Sequence, residues 1–154
     1  MANEPESGAA VALTPIEAQA LAERVAHAMV ERDRASQALG MRIERVAPGF
    51  AELSMTIRGD MVNGHAICHG GLVFTLADSA FAFACNSHNF NTVAGGCSIE
   101  FMAPGREGDV LTATARERVQ GRRAGVYDID VRNQRGETIA LFRGKSMRIT
   151  GHVV

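Results

Sequence analysis

The sequence predicts an α+β fold in which a curved antiparallel sheet wraps around one buried central helix. Three observations predict it. The run Leu72 to Cys85 is apolar apart from Thr75, Asp78 and Ser79, and apolar residues on every side mean a helix buried all round. At about 1.5 Å per residue that helix is about 21 Å long, enough to cross a small domain and too short to span a membrane. Segments on both sides of it alternate in steps of two, as strands do. Short turns join the strands that follow, and short turns join antiparallel neighbours.

Whole-chain properties narrow the function. A length of 154 residues suits one domain with a proper core. A net charge of −1 supplies no basic field for nucleic acid, and with no Trp and one Tyr there is no stacking platform for single strands. Three Cys, an odd number, and the lack of a secretory h-region argue against structural disulfides and for the cytoplasm.

Residues 1–13 mix Ala, Glu, Pro, Ser and Gly without periodicity and read as a loose tail before a single domain over 14–154. Thr14-Pro15 starts a helix, with Thr14 as N-cap, Pro15 at the first helical position and Glu17 completing a capping box. Leu21, Val25, Ala28 and Met29 recur at helical spacing and Gly40 closes the segment. The charges from Glu31 to Arg34 leave open whether this is one helix or two. Met41 to Val46 and Ala51 to Ile57 read as strands joined by the turn dipeptide Pro48-Gly49. After a loop from Arg58 to Gly64 comes the buried helix. Thr92 to Phe101, Val110 to Gln120, the alternating Tyr127, Ile129 and Val131, and Ile139 to Ile149 are four further strands, with Gly144 a candidate bulge. A sheet that curls around a single hydrophobic helix is the hot-dog arrangement.

The chemistry concentrates around the central helix. Gly70-Gly71 stands at its start, where unpaired backbone N–H groups and the helix dipole favour a developing oxyanion; the competing reading is a helix-start turn. Glycine also lets a ligand approach closely. Asn63 and His69 flank the same spot and can donate to a carbonyl; otherwise Asn63 caps a loop and His69 is a satisfied core histidine. Asp78 is a lone carboxylate in an apolar helix, costly unless paired, solvated or functional. It is a candidate base or nucleophile, or else a side chain held by Thr75 or Ser79. His65, Cys68 and His69 are metal-ligand types, but neighbouring side chains point apart and a fourth ligand is missing, so no metal site is expected. Nor is a Cys–His nucleophile pair expected. Cys85 and Cys97 read as small core residues, and His88 as an exposed loop residue. Arg106, Arg122, Arg123, Arg143 and Lys145 form solvated faces from which some residues can reach the phosphates of a ligand. Phe74, Leu76, Phe81 and Phe83 offer an apolar wall to an aryl group.

The pattern Asn63-Gly64, His69-Gly70-Gly71 and Asp78 resembles the hot-dog-fold acyl-CoA thioesterases. The wider runs CHGGLVFTLADSAFAFACNS and GVYDIDVRNQRGETIALFRGKS are similar to the PaaI-type thioesterases of bacterial phenylacetate degradation. The similarity extends from about Ala28 to Ile149. It implies hydrolysis of phenylacetyl-CoA and its ring-hydroxylated derivatives to the free acid and CoA. By the same resemblance Asp78 is the nucleophile or activates water, and the Gly70 N–H with Asn63 binds the thioester oxygen. His69 orients the thioester, and Ser98 on the next strand assists the water. The resemblance also implies a homotetramer built from dimers, with no cofactor beyond the CoA of the substrate.

Two other readings compete. A hot-dog acyl-CoA hydratase or dehydratase needs an acid–base pair at the acyl chain, and no Asp-x-Asn-Pro-x-His pattern occurs. A non-catalytic acyl-CoA sensor gains little from a buried Asp78. No nucleic-acid or membrane partner is expected.

Overall fold

The computed structural model describes residues 12–154. The tail expected over 1–13 therefore lies, except for its last two residues, outside the described residues. Helix α1 (Pro15–Arg32) starts as its sequence requires. The Thr14 hydroxyl accepts from the Glu17 amide at 3.3 Å, and the Glu17 carboxylate accepts from the Thr14 amide at 2.8 Å, the two halves of a capping box. The segment up to Gly40 is two helices. Asp33 leaves helical backbone and caps the five-residue α2 (Arg34–Ala38), its carboxylate accepting from the Ser36 amide at 2.9 Å. Gly40 then turns the chain at φ +69°, a conformation that carries no penalty without a Cβ.

Strands β1 (Arg42–Ala47) and β2 (Phe50–Thr56) precede the central helix α3 (Gly70–Asn86). Strands β3 (Thr92–Phe101), β4 (Val110–Gln120), β5 (Ala124–Arg132) and β6 (Thr138–Arg148) follow it. One six-stranded sheet runs in the order β1-β2-β4-β5-β6-β3, antiparallel throughout. Strand β3 thus crosses to the far edge beside β6 instead of pairing with its sequence neighbour β4.

Alternation decides which side chains meet the helix. Leu111, Ala113 and Ala115 of β4 and Tyr127, Ile129 and Val131 of β5 are almost fully buried, while the residues between them face outward. Alanines on this inner face let α3 lie close to the sheet. Phe81 of α3 packs edge-on against Tyr127, with ring centroids 5.5 Å apart, and beside Phe142 at 6.1 Å. Each such side chain contributes about 1.5–3 kcal/mol on burial.

Three expectations are corrected. Helix α3 is not buried all round: Gly71 is exposed, and Phe74, Thr75, Asp78, Ser79 and Ala82 are only half-buried, because one sheet covers one side of a helix. Gly144 is not a bulge. The ladder is regular through it, pairing it with Tyr127 and Cys97, and a Cβ there would stand 2.9 Å from the Phe81 ring. The register shifts fall at Ile43/Arg45, Ala94/Gly96, Glu117/Val119 and Val131/Arg132. His88 is half-buried, not an exposed loop residue. Its Nε2 lies 2.8 Å from Glu117 Oε2, which also accepts from the Tyr127 hydroxyl at 2.9 Å.

Candidate active site

A helix start leaves four backbone N–H groups without intrahelical acceptors. At α3 three of them are taken. The His69 amide donates to the Met61 carbonyl at 2.9 Å, the Gly71 amide to His69 Nδ1 at 3.0 Å and the Leu72 amide to the His69 carbonyl at 2.9 Å. The Gly70 N–H has no acceptor among the described residues. It is therefore the one N–H of this helix start left without an acceptor among the described residues. His69 is the N-cap and is exposed, not a core histidine. With Nδ1 accepting from Gly71, its neutral ring carries the proton on Nε2.

Of the two readings of Asn63, the loop cap is observed. Its Oδ1 accepts from the His65 amide at 2.9 Å, capping the loop, and its Nδ2 has no acceptor among the described residues. Asn63 and Gly70 line one cavity of about 420 Å³, whose other walls are largely apolar, with Ile67, Val73, Phe101, Met102, Pro104 and Ile139. The Phe101 ring lies on Gly70: a Cβ at Gly70 would come 3.1 Å from its Cζ. Nothing in the sequence reading marked Phe101, although β3 alternation places it on the inner face with Ile99 and Cys97.

Asp78 lies half-buried in the middle of α3, and desolvation holds its carboxyl above the usual carboxylate range. Neither expected partner engages it. The Thr75 hydroxyl donates to the Gly71 carbonyl at 2.7 Å, and the Ser79 hydroxyl pairs with that of Ser36 at 3.2 Å. Two thiols feel its charge. Burial pushes Cys85 up to about 12, with Asp78 adding to the shift, and Cys97 rises for the same two reasons in the same order. Cys97 is exposed, not a core residue.

Ser98 does not join Asp78. Residues paired across an antiparallel ladder point to one face. Ile99 pairs with Phe142, whose ring meets Phe74 and Phe81 of α3, whereas Ser98 pairs with Arg143, opposite Asp128. The Ser98 hydroxyl is thus on the side of the sheet away from α3. The resemblance alone carried that residue to the site, and strand register turns its hydroxyl away from its own chain's α3.

The remaining candidates separate. Gly71 has spent its N–H on His69. Phe74 is half-buried, edge-on to Phe142 at 5.2 Å. Leu76, Phe81 and Phe83 are fully buried core and offer no wall to a ligand. Arg106 is exposed and follows Gly105 on the cavity rim. Arg122 and Arg123 sit in the β4–β5 turn, where the Arg123 carbonyl accepts from Arg148, the residue opposite Thr92. That is the other end of β3 from Phe101, about 30 Å away at 3.3 Å per residue. Lys145 lies between, beside Gly96. Among the described residues no cluster of His, Cys, Asp and Glu is placed to hold a metal. No helix among them is long and apolar enough to cross a membrane.

Comparison with known proteins places the chain in a family and agrees with its fold. The thioesterase superfamily profile matches residues 65–140. The acyl-coenzyme A thioesterase PaaI of Escherichia coli is 54% identical over 128 residues, covering 83% of this chain and 91% of that protein. The solved structure of the E. coli PaaI protein from the phenylacetic acid degradation operon superposes with a TM-score of 0.86 at 52% identity, covering 87% of this chain and 97% of that one. A hypothetical thioesterase of Streptococcus pneumoniae, solved with coenzyme A, superposes at 0.69 with 28% identity, covering 73% of this chain and 90% of that one.

Proposed function

This chain belongs to the thioesterase superfamily and is an acyl-CoA thioesterase; from that premise we propose that it hydrolyses phenylacetyl-CoA and ring-hydroxylated phenylacetyl-CoA to the free acid and CoA in phenylacetate catabolism. The observation that carries the reading is the free Gly70 N–H at the head of α3, on the wall of an apolar cavity.

The thioester oxygen accepts from the Gly70 N–H and Asn63 Nδ2, with the α3 dipole behind them. His69, its tautomer set by Gly71, presents Nε2–H beside the same carbonyl. Asp78 supplies the oxygen side of the reaction, either by taking a proton from the water that attacks the carbonyl carbon or by attacking directly. The tetrahedral oxyanion then collapses and the C–S bond breaks. With water as nucleophile, the CoA thiolate leaves with the proton that Asp78 took; with direct attack, the acyl group passes to Asp78 as a mixed anhydride, which water hydrolyses to the free acid and the Asp78 carboxylate, the released proton going to the thiolate. No metal or other cofactor takes part. The acyl group occupies the cavity beside Gly70. Its apolar walls give an aryl ring full contact and would leave the amides of a pantetheine arm unpaired. Arg106 on the rim is the nearest of the candidate basic residues for the CoA phosphates.

The site is shared between two chains of a dimer, and two dimers form a tetramer in the cytoplasm. Two features support the dimer: the open side of α3 around Asp78, and the free edge of β3. The relatives named for thioesterase activity favour hydrolysis over hydration or mere binding. Release of free thiol from a panel of acyl-CoAs, read with a thiol-reactive dye, tests the proposal. Turnover of phenylacetyl-CoA supports it. Binding without thiol release refutes it, as does hydration of an enoyl-CoA in its place.

A further inference from the structure

The cavity wall facing Gly70 includes the loop Met102–Gly105, which has no regular secondary structure of its own. Two ties hold it. The Cys68 amide donates to the Gly105 carbonyl at 2.8 Å, two residues before Gly70. One residue further along, the Arg106 amide donates to the Asp109 carboxylate at 3.0 Å. Asp109 is only 5% exposed and its carboxylate is saturated: it also accepts from Gln134 Nε2 at 2.9 Å and from Arg135 Nη1 and Nη2 at 2.8 and 3.3 Å. These donors come from the β5–β6 turn, so the carboxylate links that turn to the cavity loop. Its own backbone is fixed as well, the Ile57 amide donating to the Asp109 carbonyl at 2.8 Å.

We infer that Asp109 is a positioning residue for thioester hydrolysis: held by Arg135 and Gln134, it fixes the Arg106 amide and so sets the distance between the Gly105 wall and the oxyanion donor Gly70. The inference rests on the oxyanion role proposed for Gly70. The tie matters at this point because Gly105 is packed without slack. A Cβ there would lie 2.7 Å from Ile57 Cδ1 and 3.5 Å from Cys68 Cβ. The Asp109 amide also donates to the Arg106 carbonyl at 2.9 Å, so loss of the carboxylate removes one of the two bonds between these residues; a shift of Arg106 is passed to Gly105 and, through its hydrogen bond, to Cys68, which leads directly into His69 and Gly70. The Arg135 hydrogen bonds, then those of the Arg106 amide and Gln134, hold the Asp109 carboxyl well below the usual carboxylate range, so the clamp stays charged at any working pH.

The test compares Asp109→Ala, Asp109→Leu and Arg135→Gln with the wild type, each assayed well below its own Tm. Two inhibitors are used: the ketone analogue of phenylacetyl-CoA, in which CH2 replaces sulfur, and the S-phenylethyl thioether, which has no carbonyl. Thiol release by the wild type tests the parent reading separately. If Asp109 positions the donor, Asp109→Ala loses about 10²-fold in kcat with KM changed by less than about 3-fold, since a misplacement of about 1 Å costs that much. It also binds the thioether normally but loses affinity for the ketone. Arg135→Gln, which keeps the carboxylate on the Arg106 amide, loses less than about 10-fold. If Asp109→Ala does not fold, Asp109→Leu, close in shape and likewise without an acceptor for the Arg106 amide, carries the same comparison. Variants with lowered Tm but unchanged kcat and an unchanged ketone-to-thioether affinity ratio overturn the inference.

Discussion

The Phe101 ring lies in van der Waals contact with Gly70, so that a Cβ on the glycine would stand 3.1 Å from Cζ. An aromatic side chain thus touches the residue proposed to hold the thioester oxygen. Phe101 is also 54% exposed, open to a ligand ring. An aryl group placed there gains an edge-to-face or offset contact of about 0.5–1.5 kcal/mol beyond its burial. Phe101→Leu is therefore expected to lower kcat/KM for phenylacetyl-CoA about 3- to 10-fold more than for butyryl-CoA. The wild type is expected to prefer aryl-acetyl thioesters to palmitoyl-CoA. A selectivity ratio that Phe101→Leu leaves unchanged removes Phe101 from acyl recognition.

Asp78 carries the chemistry of the proposed site, and Asp78→Asn is expected to lose at least about 10²-fold in kcat. Binding of the thioether analogue should stay near normal. Near-normal kcat in this variant excludes Asp78 from the mechanism. In the wild type the acid limb of the kcat profile should lie above the usual carboxylate range, because burial raises the Asp78 pKa and the working form is the ionised one.

The same burial has a stability consequence of definite sign. A carboxyl whose folded pKa is raised binds its proton more tightly in the folded state. Below the unfolded pKa, near 3.9, both states are protonated and nothing is lost. As pH rises from there through the raised folded pKa, ionisation costs stability, and the full cost persists above it. Asp78→Asn is thus expected to raise Tm at pH 7 and to make little difference near pH 3. Thermal unfolding followed across that range checks it, and an equal Tm difference at both ends contradicts a desolvated Asp78.

Much of this architecture was legible because it follows from local rules. The capping box at Thr14 and Glu17, the turn at Pro48-Gly49 and the alternation through Tyr127, Ile129 and Val131 each depend on neighbouring residues, and each has the expected form. What depends on distant pairing was not legible. The crossing of β3 to β6 decides that Cys97 and Phe101 face α3 while Ser98 faces away, and no short-range pattern encodes that register. The residue types of the Asn63, Gly70 and Asp78 constellation were readable. Which N–H remains free was not, since it turns on His69 Nδ1 taking the Gly71 amide. The apolar run of α3 suggested burial on all sides, but composition does not distinguish cover by the chain's own sheet from cover by a second chain.

Gly144 has a steric role that a single methyl group tests. A Cβ there would lie 2.9 Å from the Phe81 ring, in a core packed from Tyr127 to Phe142. Gly144→Ala is expected to destabilise the fold by about 1–3 kcal/mol through overpacking, measured by urea unfolding. Adding Phe81→Leu should make the effect of the alanine smaller than it is alone. Strictly additive losses would separate the two residues.

The last prediction concerns the sharing of the site. Gly70 and Asp78 are eight residues apart on α3, about 12 Å along the axis at 1.5 Å per residue. An oxyanion donor and a base must each lie about 3 Å from the groups they act on at one carbonyl, so one chain's helix cannot supply both. Two antiparallel helices about a two-fold axis can, because the start of one then faces the middle of the other, and the resulting isologous dimer carries two equivalent sites. Asn63 and Gly70 come from one protomer and Asp78 from its partner. Asn63→Ala and Asp78→Asn, each inactive alone, are denatured together in equal amounts and refolded. Random pairing makes about half the dimers mixed, and each mixed dimer has one site with both residues intact, so roughly a quarter of wild-type activity returns. A refolded mixture shown to contain mixed dimers, yet as inactive as its parents, refutes the shared site.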